Sequence, residues 1–197
     1  MKLTVFSGTY NPIHTAHLII AETVRDELQL DKVTFIPAYY PPHRDLDLAS
    51  PEHRLDMVKI AIADNPYFEV NDIEYQRQEK SYTYFTIQEL LDKNPEASGK
   101  INFIIGSDAF KLIDTWYEIE NLAKLVNFVI VIRPDNMEIG KLLDNVKLSN
   151  FDFQIVKTPL LDISSSDIRR RIKKNKSIKY LVPKAVEEYI YDNNLYK

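Results

Sequence analysis

The chain has 197 residues, 45% of them hydrophobic and 27% charged, which suits one packed domain and argues against disorder. Its 25 Lys and Arg against 29 Asp and Glu leave a net charge of −4, without the bulk basic character of a duplex-binding protein. There is no cysteine, and the four glycines are nowhere closer than seven residues apart, which excludes disulfides, thiolate metal sites and the GxGxxG and GxxxxGK phosphate loops.

The opening MKLTVFSG enters a strand-like run at once, with none of the long apolar segment of a secretory leader. No apolar run approaches the ~18 residues needed to span a membrane. The expectation is a soluble, cytoplasmic protein with no membrane or nucleic-acid partner. The first predicted strand is 3–6 (LTVF). A helical pattern follows, with Ile20, Ala21, Val24 and Leu28 on one face beside Glu22, Arg25 and Asp26. A second strand is predicted at 33–36 (VTFI). Ser50-Pro51-Glu52 then reads as N-cap, N1 proline and first-turn acid. They open a helix carrying Leu55, Val58 and Ile62 on one face.

Residues 68–77 (FEVNDIEYQR) alternate and read as an irregular or edge strand. A short helix is predicted at 86–92, strands at 101–105, 127–132 and 153–156, and helices at 166–173 and 183–191. The basic stretch 173–179 (KKNKSIK) reads as a solvated turn between the last two helices. Most strands are continuous apolar runs, as expected of parallel strands buried on both faces. The predicted fold class is α/β: a Rossmann-like doubly wound parallel sheet of five or six strands. It forms a single domain over 1–197, with a helical C-terminal part from about 163 to 197.

In open sheets of this kind ligands sit beyond the carboxyl ends of the strands. After the first strand comes Gly8-Thr9-Tyr10-Asn11-Pro12-Ile13-His14-Thr15-Ala16-His17. Gly8 permits a tight turn and close backbone approach. His14 and His17, three apart, share a face at a helix N-terminus, where free N–H groups and partial positive charge favour phosphate. Zinc helices instead prefer histidines four apart with a third ligand, and no acidic or sulfur partner is evident here. A pair of satisfied, partly buried histidines is the structural alternative. The strand–Gly–Asn-Pro setting favours a role on phosphate.

After the last strand, Ile163-Ser164-Ser165-Ser166-Asp167-Ile168-Arg169 again clusters hydroxyls and free N–H groups at a helix start. Arg169 lies one turn in, within reach of an anion. An ordinary serine-capped helix with a basic face fits these residues equally well. Other strand exits supply Pro41-Pro42-His43-Arg44, Gly106-Ser107-Asp108 and Arg133-Pro134. Ser81-Tyr82-Thr83-Tyr84-Phe85-Thr86 clusters hydroxyls at a helix start, and Trp116 is the only tryptophan. Each has a plain reading: a rigid surface loop, a helix cap, a packed indole.

GTYNPIHTAH resembles the (T/S)(F/Y)(D/N)PxHxGH signature of the nucleotidyltransferase superfamily related to class I aminoacyl-tRNA synthetases. Ala16 stands where that family has a glycine against the nucleotide base. ISSSDIR resembles the same superfamily's ISSTxIR motif, with Ser166 in place of threonine. Nearly the whole chain resembles bacterial nicotinate mononucleotide adenylyltransferases, through PPHR, EHRLDM, SYT, IGSDAF, TWY, RP, LLDISSSDIR and SIKYLVP. The resemblance implies transfer of AMP from ATP to nicotinate mononucleotide, giving deamido-NAD and pyrophosphate, with the acceptor phosphate as nucleophile. It implies catalytic roles for His14, His17 and Arg169. Gly8, Thr9, Tyr10, Asn11, Gly106, Ser107, Asp108, Ile163, Ser164, Ser165 and Ser166 would join the three in binding ATP. Thr9, Tyr10, Arg44, Ser81, Tyr82, Thr83, Thr86, Trp116, Tyr117 and Arg133 would bind the mononucleotide. Trp116 would stack on the nicotinate ring, and backbone N–H groups near Thr83 and Thr86 would receive its carboxylate. Mg²⁺ would arrive with ATP, held by no protein ligand. Nicotinamide mononucleotide as acceptor, dual specificity, or a non-catalytic nucleotide-binding module are the alternatives. The oligomeric state is not legible, and a homo-oligomer is compatible with the sequence.

Overall fold

A computed structural model describes residues 2–42, 48–97, 99–132 and 151–197. Arg44 and Arg133 lie outside the described residues. Six parallel strands form one sheet: β1 (Thr4–Gly8), β2 (Val33–Pro37), β3 (Phe68–Val70), β4 (Ile101–Gly106), β5 (Val126–Ile132) and β6 (Phe153–Lys157). Their order is β3-β2-β1-β4-β5-β6. The chain therefore moves outward from β1 on one side and from β4 on the other, which is the doubly wound arrangement expected from the sequence. The point of reversal lies between β1 and β4, where such sheets bind ligands.

Alternate residues of the strands feed two cores. Phe6, Ile104, Val129, Val131 and Val156 face one side. There they meet α1 (Thr15–Glu27), α2 (Pro51–Ile62), α7 (Ser165–Lys173) and α8 (Lys184–Asp192). Val5, Phe103, Ile105, Phe128 and Ile130 face the other. That face is covered by α3 (Ile73–Arg77), α4 (Thr83–Lys93), α5 (Ser107–Phe110) and α6 (Ile119–Leu125). Burial on both faces explains why the strands read as unbroken apolar runs.

Ser50 caps α2 by accepting from the His53 N–H, with Pro51 at the first helical position. α8 docks on α2 through the Tyr189 hydroxyl, which donates to Asp56 Oδ2 at 3.1 Å and lies 2.9 Å from His53 Nδ1. The 68–77 segment corrects the sequence reading. Only Phe68–Val70 pairs, as an edge strand beside β2. Asn71 Oδ1 then accepts the Ile73 N–H at 3.0 Å, and the chain turns into α3. α4 begins at Thr83, three residues ahead of the expected start. Among the described residues no helix is long and apolar enough to cross a membrane.

Candidate active site

The exit of β1 is a loop held from beneath. Tyr10 adopts a left-handed backbone (φ 48°) that turns its ring into the core. Its hydroxyl donates to the Phe6 carbonyl at 2.6 Å. Burial pushes the phenol well above its ordinary pKa, so it remains a donor. A Cβ on Gly8 would stand 3.1 Å from this ring, so the close approach that requires glycine here is to Tyr10. Tyr10, expected to touch both substrates, is 2% exposed. Its ring instead meets the His17 ring edge-on at 5.1 Å and 81°.

His14 is the N-cap of α1 and His17 lies in its first turn. Their rings stack with centroids 3.7 Å apart and 24° between planes. The His14 N–H donates to His17 Nδ1 at 3.2 Å. Neutral His17 therefore carries its proton on Nε2, as a donor. His14 is 6% exposed, and its Nδ1 is buried without a hydrogen-bond partner. Burial lowers the His14 pKa to about 4, and burial together with His14 holds His17 well below its usual range. Both imidazoles are neutral at pH 7.

The β6 exit is tied to this loop across most of the chain. Ser165 Oγ donates to the Pro12 carbonyl at 2.9 Å, and Arg169 Nη1 donates to the Asn11 carbonyl at 2.8 Å. Ser164 caps α7 by accepting the Asp167 N–H at 3.2 Å. Arg169, 8% exposed, also donates to Ser166 Oγ at 3.4 Å.

Two cavities flank His17. The larger, about 390 Å³, is mainly apolar and reaches the ends of β1 and β4. Ala16, Gly106, Ser107, Asp108, Trp116 and Ile163 line it, together with both histidines. Ala16 is thus part of its wall. A Cβ on Gly106 would meet nothing within 4 Å. Asp108 is exposed, 3.7 Å from Lys111 Nζ. Trp116 packs edge-on against Phe103 at 5.9 Å. The smaller cavity, about 220 Å³, is mainly polar and is lined by Thr9, Asn11, His17, Ser165, Ser166 and Arg169.

The start of α4 lies against Tyr117, the neighbour in sequence of cavity-lining Trp116. Tyr82 precedes the helix, with no side-chain cap, so the first-turn N–H groups of Thr83 and Tyr84 lack intrahelical partners. The Tyr82 ring faces that of Tyr117, which is 46% exposed, at 4.8 Å. Ser81 and Thr86 are occupied structurally. Ser81 Oγ accepts the Tyr40 N–H at 2.9 Å. The Thr86 hydroxyl donates to buried Glu74 at 2.7 Å, and its N–H is used by Tyr82 O at 3.3 Å.

The cytidylyltransferase-like family model matches residues 5–171. A protein from Caldicellulosiruptor saccharolyticus named "Probable nicotinate-nucleotide adenylyltransferase" is 40% identical, covering 100% of both chains. One of the same name from Exiguobacterium sibiricum is 40% identical over 100% of this chain and 99% of that protein. The chain belongs to the nicotinate-nucleotide adenylyltransferases of the cytidylyltransferase-like family. The fold is also that of the Plasmodium falciparum nicotinic acid mononucleotide adenylyltransferase solved with NaAD. The TM-score is 0.81 at 21% identity, over 99% of this chain and 97% of that one.

Two buried residues of this adenylyltransferase escaped the sequence reading as site residues. Arg54, 0% exposed, donates from Nε to Ala49 O at 3.1 Å, from Nη1 to Thr9 O at 3.0 Å and to Ala38 O, and from Nη2 to Tyr39 O at 2.8 Å. It binds the β1 and β2 exits together. Its signal was an arginine on the face of α2 marked by Leu55 and Val58. Glu74 accepts the Tyr39 N–H at 3.1 Å and the Thr86 hydroxyl, joining the β2 exit to α4. Nothing local in the 68–77 pattern marked it.

Proposed function

We propose that this adenylyltransferase joins ATP and nicotinate mononucleotide to give deamido-NAD and pyrophosphate. The observation that carries the reading is the position of His17, at the junction of an apolar cavity sized for a nucleoside and a polar one sized for phosphates. An α-phosphate at that junction has its adenosine on one side and its pyrophosphate on the other. An oxygen of the acceptor phosphate bonds to the α-phosphorus. The bond from that phosphorus to the bridging oxygen breaks, and pyrophosphate carries away the electron pair.

The protein's work is alignment and charge stabilisation. His17 donates its Nε2 proton as a hydrogen bond to an α-phosphate oxygen. His14 contacts a neighbouring phosphate. The first turn of α7, with Ser165, Ser166 and Arg169, holds the β- and γ-phosphates. Asp108 accepts from ribose hydroxyls. Trp116 and the Tyr82–Tyr117 pair flank the acceptor ring, and the open N–H groups of Thr83 and Tyr84 receive its carboxylate.

Mg²⁺ belongs to the same proposal. Among the described residues no three His, Cys, Asp or Glu side chains converge as a metal cage. The ion would be carried by the triphosphate and its waters, supplying charge neutralisation to the phosphates. The enzyme is read as soluble and cytoplasmic, with small-molecule substrates.

Incubation with ATP, Mg²⁺ and either nicotinate or nicotinamide mononucleotide, with release of pyrophosphate followed, tests the reading. Fast release with the acid alone is expected. Equal rates with both acceptors would replace it by dual specificity, and none with either would replace it by a nucleotide-binding module.

A further inference from the structure

Three distant segments converge on Asn11. Its carbonyl accepts from Arg169 Nη1 at 2.8 Å. Its side-chain Oδ1 accepts the Ala49 N–H at 3.0 Å and the Tyr196 hydroxyl at 2.8 Å. The Ala49 N–H can only donate, so it identifies the accepting atom of the amide as oxygen.

Tyr196 stands 185 residues from its partner. It reaches Asn11 by adopting a left-handed backbone (φ 63°), and its ring packs against the core formed by α1, α2, α7 and α8. Burial raises its pKa above the ordinary phenol value against the opposing pull of Arg169 and Arg54, so the phenol is a donor throughout the physiological range. A tyrosine in this strained conformation would pack as well with phenylalanine in its place. What phenylalanine would lack is the bond to Asn11. That residue lines the polar cavity together with Ser165, Ser166 and Arg169.

We propose that Tyr196 is a positioning residue for the polyphosphate. By anchoring the Asn11 side chain it holds the Asn11 carbonyl in place, and that carbonyl aims the Arg169 guanidinium at the polar cavity. Tyr196 itself touches no substrate. The assignment rests on reading the 220 Å³ cavity as the site of the β- and γ-phosphates.

The test compares the full-length wild type with Tyr196→Phe by calorimetric titration of ATP and of AMP, at a temperature where thermal melts show both proteins folded. Loss of one positioning hydrogen bond is expected to weaken ATP binding about tenfold while AMP binding changes by less than about twofold. An unchanged ATP affinity in Tyr196→Phe would overturn the proposal, as would equal weakening of ATP and AMP, the mark of general loosening. A wild type that binds ATP but releases no pyrophosphate with either mononucleotide would overturn the assigned reaction and leave the ATP–AMP comparison readable. A wild type that binds no ATP would overturn both.

Discussion

The backbone N–H of His14 donates to Nδ1 of His17, 3.2 Å away, while the two rings stack at 3.7 Å. The bond selects the tautomer of His17 and places its proton on Nε2, the donor assigned to the α-phosphate in the proposed reaction. A donor aimed at charge that grows in the transition state typically contributes about 10²–10³ in rate. His17→Ala is expected to lose that factor, mainly in kcat, measured by steady-state pyrophosphate release. A near-normal kcat would remove His17 from the reaction.

The stacked pair also predicts how stability changes with acid. Burial lowers the folded-state pKa of His14 to about 4, below the ordinary histidine value of 6.5. Between those values the unfolded chain binds more protons than the folded one, so stability falls as pH falls. His17 shifts in the same direction. Urea midpoints are expected to drop from pH 7 to pH 5. His14→Asn, which keeps a good N-cap residue, should show a smaller drop. An equal drop in both would assign the pH effect to other groups.

Two glycines should behave oppositely. Gly8→Ala places a methyl group 3.1 Å from the Tyr10 ring, which the hydroxyl's bond to Phe6 prevents from moving freely. A cost of about 1–3 kcal/mol is expected, as for overpacking elsewhere. Gly106→Ala meets no atom within 4 Å and lines the larger cavity. Its melting temperature should be unchanged while its KM for ATP rises. Thermal melts and kinetics on the two variants check both statements.

Arg54 satisfies four backbone carbonyls, one at the β1 exit and three between β2 and α2. Arg54→Met would leave buried acceptors without donors, and a loss of about 3 kcal/mol or more is expected from denaturant unfolding. Arg54→Lys should recover little of it, because a single ammonium cannot reproduce the guanidinium fork.

Trp116→Ala is expected to raise the KM for nicotinate mononucleotide while the KM for ATP is preserved. Trp116 lines the nucleoside-sized cavity as well. Parallel rises in both KM values would therefore count against a role confined to the acceptor.

The parts of this molecule that follow local rules are legible in its sequence. Residues 127–132 read as a strand because both faces are buried, and Ser50-Pro51 reads as a helix start because capping needs only neighbours. The histidine pair and the three serines are visible for the same reason. The partners of Ser81, Thr86 and Tyr10 are not visible, since whether a hydroxyl faces a ligand or a buried carboxylate is decided by elements far away in sequence. Ile73–Arg77 was equally opaque: its polar–apolar alternation suits a strand, and the Asn71 turn overrides it. Tyr196 carries no local mark, because its role exists only across 185 residues.

The bond between Arg169 and Asn11 spans 158 residues. A nascent chain that has completed only its first four strands therefore has the histidines but not yet Ser165, Ser166 and Arg169, the proposed holders of the phosphates. Nucleotide that bridges the two loops would act as a tie between segments far apart in the polypeptide. Its protection against hydrogen exchange should be strongest at the β1 exit and α7 together, although 158 residues separate Asn11 from Arg169.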